Sequence, residues 1–375
     1  MKIAVVHDWL PVIAGGEAVL KEILATYPDS DVFTLLNFLN DEQMESLGIK
    51  NVKTSALNTL PFIEKYYRKL LGFYPQAIED FDLSSYDLII SSSAAFAKGV
   101  IVGADQVHIA YVHSPARYAW DMTHDYLNQA GLNKGIKGYM AKKILSQFRI
   151  WDSRTPNGVD VFVANSEFIR KRIWRVYRRE AEVIYPPVAI ERFTLEESKE
   201  DFFLTASRMV PYKRIDLIAS AFTRMPEKKL VIIGDGPEMP IIKDICKGHS
   251  NITLMGYQNN DVLVDMMRKA KAFVFAAKED FGIVPVEAQA CGTPVIAYGA
   301  GGALETVVDI KLDNDKGTGL FFDNQTEDSL IEAVREFDQY TFVPLSCRKN
   351  AEKFSPEIFR KKLKDMVSKS VLEKK

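Results

Sequence analysis

Two cations and two carboxylates stand at spacings that suit a phosphorylated, hydroxyl-rich ligand. Arg208-Met209-Val210-Pro211-Tyr212-Lys213 directly follows the apolar run Phe202–Ala206. Arginine offers a planar fork of donors and lysine a compact charge, so with Pro211 shaping the loop both can converge on one diphosphate. The plainer alternative is a pair of solvated surface cations. Glu279-Asp280-Phe281-Gly282-Ile283-Val284-Pro285-Val286-Glu287 follows a second run, Ala272–Ala276. Pro285 is well placed near the first helical position. The amides of Phe281, Gly282 and Ile283 then face outward, ready for phosphate oxygens or sugar hydroxyls. Glu279 and Glu287 can each accept hydrogen bonds from vicinal hydroxyls; otherwise they are a capping acid and a first-turn acid that complements the helix dipole.

Two further candidates lie earlier. Ala14-Gly15-Gly16-Glu17 follows the first apolar run and leads into a helix, so Gly16 lets backbone approach a ligand at a helix start, unless the pair is only a tight turn. His113 closes the run Val107–Val112, where ligands gather in parallel sheets. His7 also follows a strand but receives no role. Other motifs fail. Gly234-x-Gly236 and Gly299-x-Gly301 have Met239 and Leu304 where a dinucleotide fingerprint needs glycine, and the chain contains no phosphate-loop G-x4-G-K-[ST] motif. Asp29-Ser30-Asp31 sits in a turn where acids are common, so it is read as a turn and no metal site is assigned.

The elements that must position these residues alternate regularly. Lys2–Val6, Val32–Leu36, Leu88–Ser91, Val107–Val112 and Val159–Ala164 read as strands, with Ala18–Thr26 as a helix after the first. Unalternating Val/Ile-rich runs suit a parallel sheet covered on both faces, and helices supply its crossovers. Pro186-Pro187 and the polar Glu196–Asp201 read as a break and linker. The pattern then restarts with Phe202–Ala206, Lys229–Ile233, Ile252–Met255, Ala272–Ala276 and Pro294–Ala297. The expected fold is α/β, two Rossmann-like doubly wound domains facing across a cleft, at 1–190 and 200–350, with a closing helix about 356–375 crossing back to the first.

Composition sets the class. The chain has 375 residues, 47% hydrophobic and 26% charged, with a net charge of -2 that gives no pull toward nucleic acid. Its three cysteines, Cys246, Cys291 and Cys347, form no pair or zinc pattern, which fits a reducing compartment. The first residues do not read as a signal peptide and no run is long enough for a membrane span, so a cytoplasmic location is expected. Charge is uneven, however. Between Lys134 and Arg179 there are twelve Lys/Arg and three Asp/Glu. Pro61–Tyr74 mixes basic and aromatic residues in an amphipathic stretch of the kind that lies in a membrane interface, or else packs on the core. Together they suggest a peripheral position on the cytoplasmic, inner membrane surface.

Taken together, Glu279–Ala297 resembles the E-x7-E signature of the large retaining glycosyltransferase family that includes many bacterial mannosyltransferases. Arg208 and Lys213 resemble its R-x4-K pair, Gly234-Asp235-Gly236-Pro237 its G-x-G-P loop, and Asn165-Ser166-Glu167-Phe168 its N-S-x-F helix start, with Ser166 as N-cap. Tyr111–Asp121 is similar to a segment of the O-antigen mannosyltransferase branch. Asp280 departs from the pattern, where glycine or alanine is commoner.

The resemblance implies the glycosyltransferase-B fold. It implies that Arg208 and Lys213 hold the donor diphosphate, Glu279 the donor sugar and Glu287 the nucleotide ribose. His113 would lie beside the sugar, and Gly16 would approach the diphosphate or acceptor. It further implies metal-independent transfer without a cofactor, by front-face attack, from GDP-mannose to a polyprenyl-diphosphate-linked saccharide in cell-surface polysaccharide or O-antigen synthesis. The alternatives are a UDP-hexose donor, a sugar-nucleotide epimerase on the same fold, and a non-catalytic sugar-binding protein.

Overall fold

A computed structural model of the chain describes residues 1–374. It divides into two units. The first holds Met1–Pro187 together with the chain from Glu357 on, and the second holds Val188–Pro356. The division falls at the Pro186-Pro187 break. Glu196–Asp201 is no free linker: Glu196 pairs with Arg268, and Lys199 donates to Arg268 O, Cys291 O and Thr293 Oγ1, all within the second unit.

In the first unit seven strands form one parallel sheet. They are β1 (Ile3–His7), β2 (Asp31–Thr34), β3 (Val52–Thr54), β4 (Leu88–Ser93), β5 (Val107–Val112), β6 (Val161–Ala164) and β7 (Ala181–Val183), in the order β3-β2-β1-β4-β5-β6-β7. β4 and β5 are buried at every position, as their unalternating sequences require. Hydrophobic packing on one face of the sheet is completed by Phe359, Leu363, Met366 and Val367 of the Pro356–Glu373 helix. The register sets His7 of β1 beside Ser92 of β4, and Ser93 of β4 beside Val112 of β5, one residue before His113.

The second unit repeats the plan with six parallel strands. They are β8 (Phe203–Ala206), β9 (Leu230–Ile233), β10 (Ile252–Gly256), β11 (Ala272–Phe275), β12 (Val295–Tyr298) and β13 (Gly319–Phe322), in the order β10-β9-β8-β11-β12-β13. The order reverses at β8 and β11, which places the Arg208 loop and the Glu279 loop on either side of the switch point where such sheets bind ligands.

Pro61–Tyr74 does not form the amphipathic helix its composition suggests. It is broken into a helical turn Ile63–Tyr66 and a 3₁₀ turn Tyr67–Lys69, entered through Phe62 in the left-handed region. Ile63, Tyr66, Tyr67, Leu70, Leu71 and Tyr74 all pack onto the core of the first unit. Much of its apolar side is spent on that core, while Phe62 and Phe73 stay 75% and 64% exposed.

Candidate functional site

The second unit gathers most of the site. Two loops interlock because glycine removes the side chains between them. A Cβ on Gly234 would lie 1.9 Å from Ser207 O, and one on Gly236 would lie 2.4 Å from Met209 O. These contacts are impossible for any other residue, so the G-x-G-P loop after β9 is bedded against the backbone on either side of Arg208. Met209 N donates to Asp235 O at 2.9 Å, and Glu238 N to Met209 O at 3.1 Å. Arg208 is thereby fixed at its backbone while its exposed guanidinium has no ion-pair partner among the described residues.

A second interlock presents Glu279. A Cβ on Gly301 would meet Glu279 O at 2.4 Å, and one on Gly302 would meet Phe281 Cα at 2.3 Å. Gly302 N donates to Glu279 O at 2.9 Å, and the Phe281 ring is buried against Phe354. The following helix runs Ile283–Ala290 and is entered through Gly282 at φ 88°. Pro285 is its third residue, near the helix start, where it costs no intrahelical hydrogen bond. Neither Gly282 nor Ile283 gives its amide to an acceptor among the described residues.

Lys213, in the 3₁₀ turn Pro211–Lys213, forms an ion pair with Glu279, 66 positions away. Both side chains are largely covered, 15% and 18% exposed. The structure thus brings together the residues expected to hold diphosphate and sugar, and without ligand they neutralise each other. Glu287 differs. Its carboxyl has no hydrogen-bond partner among the described residues, and burial pushes it up to about 7, against the opposing charge of Arg192. Such a group gains from hydroxyl donors that satisfy its charged form.

In the first unit the strand ends carry a cluster that sequence reading only partly found. Asp8, just past β1, accepts the amides of Ala94, Ala95, Phe96 and Ala97 at 2.5–2.9 Å and so clamps the turn after β4. Ser92 Oγ lies 3.0 Å from His7 Nδ1 and 2.8 Å from His113 Nε2. Glu17 accepts Ala14 N at 2.8 Å, a local capping signal readable as the acid three places after Ala14. A Cβ on Gly16 would touch His7 and His113 at only 3.7–3.9 Å, an ordinary contact, so the protein itself leaves room there. Ser166 caps its helix as expected, accepting Ile169 N at 3.1 Å. Asp29 and Asp31 turn to Lys50 and the Tyr86 hydroxyl.

Known proteins match this chain along its length. Residues 189–354 match the family model of glycosyl transferases group 1, and residues 31–192 match that of glycosyltransferase family 4. The second unit thus resembles the group 1 glycosyltransferases and much of the first resembles family 4, and the fold is that of glycosyltransferase-B structures. An uncharacterised glycosyltransferase of Methanocaldococcus jannaschii is 24% identical over 95% of this chain and 93% of its own. The GDP-mannose-dependent alpha-(1-6)-phosphatidylinositol monomannoside mannosyltransferase of Mycobacterium tuberculosis is 29% identical, over 49% of this chain and 54% of its own. Among solved structures, Anabaena HepE in complex with UDP-glucose superposes with a TM-score of 0.68 at 17% identity, covering 98% and 100% of the two chains. At that identity the likeness speaks for the fold.

The Glu287 environment makes a pH-dependent prediction. A carboxyl whose folded pKa is raised from 4.5 to about 7 favours the folded state below pH 4.5, and that contribution is lost as the pH rises through 7. Glu287→Gln therefore stabilises the ligand-free protein at pH 8, on the order of 1–3 kcal/mol, and the gain shrinks toward pH 4.5. Melting curves across this range check it; a gain independent of pH contradicts the assignment.

Proposed function

We propose that this glycosyltransferase moves a hexose, mannose from GDP-mannose, onto a lipid-linked saccharide with retention at the anomeric carbon. The observation that carries the reading is the second unit's set of charges: an unpaired Arg208, a Lys213–Glu279 pair and an unpartnered Glu287 at the switch point of one sheet. In this reading the donor diphosphate draws Lys213 from Glu279, which frees Glu279 to take the sugar hydroxyls, while Glu287 takes the ribose pair. The bond between the anomeric carbon and the phosphate oxygen breaks with its electron pair going to the diphosphate. The acceptor hydroxyl bonds to the same face of that carbon, and its proton passes to the departing diphosphate. Arg208, Lys213 and the free amides of Gly282 and Ile283 stabilise the charge as it develops, so no metal is required.

GDP-mannose is favoured by the Tyr111–Asp121 resemblance and by the mycobacterial relative; a UDP-hexose is the alternative, and HepE was solved with UDP-glucose. The transfer reading predicts that Arg208→Ala and Lys213→Ala each lower turnover about a hundredfold without unfolding the protein, as loss of a transition-state donor does. Nucleotide release should need a lipid-linked saccharide, survive EDTA, and prefer GDP-mannose to UDP-glucose, UDP-galactose and UDP-N-acetylglucosamine. Near-normal turnover in both variants removes the diphosphate site. Preference for a UDP-sugar removes mannose alone.

A lipid-linked acceptor calls for a surface that meets the membrane. Among the described residues no helix is long and apolar enough to cross one. The Gly135–Arg154 helix instead carries an outward stripe of Ile136, Tyr139, Met140, Lys143, Gln147 and Ile150, opposite buried Gly138, Leu145, Phe148 and Asp152. Ile136 and Ile150 are 84% and 71% exposed, and Lys134, Lys137 and Lys142 flank them. Apolar residues framed by lysines fit the boundary of an anionic bilayer. Ile136→Asn, Tyr139→Ser and Ile150→Asn together should lower pelleting with phosphatidylglycerol vesicles at least tenfold. Lys65, Arg68 and Lys69→Glu should matter less, because Tyr66, Tyr67, Leu70 and Leu71 between them pack onto the core. Equal pelleting by the stripe variant and the parent contradicts this surface.

A further inference from the structure

In the first unit, four side chains run in one line that ends at His113, with an ion-pair contact at its start and hydrogen bonds beyond. Glu17 Oε2 accepts Ala14 N, and Glu17 Oε1 faces His7 Nε2 at 3.5 Å. His7 Nδ1 meets Ser92 Oγ at 3.0 Å, and Ser92 Oγ meets His113 Nε2 at 2.8 Å. His7 and Ser92 are buried, and the strand register holds them side by side.

Counting protons fixes the direction of every link. Burial alone would raise the Glu17 carboxyl, but His7 and the Ala14 amide more than offset this and hold it below its usual range, so it is an acceptor only. His7 therefore carries its proton on Nε2. On a neutral ring its Nδ1 is then a bare lone pair. The single Ser92 proton goes to that nitrogen, which leaves the Ser92 oxygen only lone pairs to offer His113. Burial first, and the nearby His7 second, push His113 down to about 3, so its ring is neutral. Its one proton then sits on Nε2. Nδ1 has no partner among the described residues and is not sealed from solvent.

We propose that Glu17, His7 and Ser92 are positioning residues that fix the tautomer of His113, so that its ring offers an unprotonated Nδ1 as a hydrogen-bond acceptor to a ligand hydroxyl. The identity of that hydroxyl as a sugar's rests on the transfer reading above; the tautomer does not. The space beside Gly16, where even a Cβ meets both rings only at ordinary contact, leaves the cluster open to a ligand.

The test is nitrogen-15 NMR of histidine-labelled full-length protein at pH 8, without ligand, reading which nitrogen of His113 is protonated. The parent should show the Nε2–H form. That alone decides little, because histidine in water favours the same form. Glu17→Gln decides it. The carbonyl of the substituted amide side chain must accept Ala14 N–H, so its amide nitrogen faces His7 Nε2 and donates. His7 then carries its proton on Nδ1, Ser92 reverses, and His113 becomes mostly Nδ1–H. In Ser92→Ala the same Glu17→Gln change should leave His113 unmoved, and Ser92→Thr should restore the response.

The proposal is overturned if Glu17→Gln leaves the His113 nitrogen shifts unchanged, or if the response survives Ser92→Ala. Since no substrate is present, the result stands or falls apart from the transfer assay.

Discussion

The second unit depends on backbone approaching backbone more closely than any side chain allows. Gly234 and Gly236 clasp the chain on either side of Arg208, and Gly301 and Gly302 clasp the chain from Glu279 to Phe281. Each clasp fixes a loop that would otherwise wander, and the Lys213–Glu279 pair then ties one loop to the other. Arg208 and Glu279 are thus placed by glycines whose missing side chains let backbone meet backbone. Substitution at Gly234 would push the loop after β9 off Ser207, and with it the base on which Arg208 stands.

The first unit solves the same positioning problem with polar groups. Asp8 gathers four consecutive amides of the turn after β4, and a carboxylate receiving four donors is well satisfied despite its burial. Deeper in the unit, Lys98 pairs with Asp152, which also accepts Trp120 Nε1 at 2.7 Å and the Tyr177 hydroxyl at 3.1 Å. Asp8, Lys98 and Asp152 are thus bonded where they are buried, while among the described residues Arg208 has no ion-pair partner and the Glu287 carboxyl no hydrogen-bond partner.

Much of this was legible in the sequence. Central strands such as β5, buried throughout, announce themselves as unbroken apolar runs. Edge strands do not: Val52–Thr54 and Ala181–Val183 are three residues long with an exposed charged residue in the middle, and Gly319–Phe322 opens on glycine. Arg208, Lys213, Glu279 and Glu287 stand out by spacing, but the pairing of Lys213 with Glu279 joins residues far apart in sequence and no local pattern encodes it. Pro61–Tyr74 left two readings open because composition cannot say which way tyrosine and leucine face. Ser92 was invisible for the opposite reason, being one of three serines in a strand, singled out only by the register that sets it against His7.

The central claim is that the two glycine-clasped loops of the second unit form the site for a sugar nucleotide's diphosphate. A crystal structure of the full chain with GDP-mannose tests it most directly. The account predicts diphosphate oxygens at about 3 Å from the Arg208 guanidinium and Lys213 Nζ, with Lys213 parted from Glu279, the hexose hydroxyls on Glu279 and the ribose hydroxyls on Glu287. A nucleotide bound with its diphosphate away from Arg208 and Lys213, and with the Lys213–Glu279 pair intact, would contradict it.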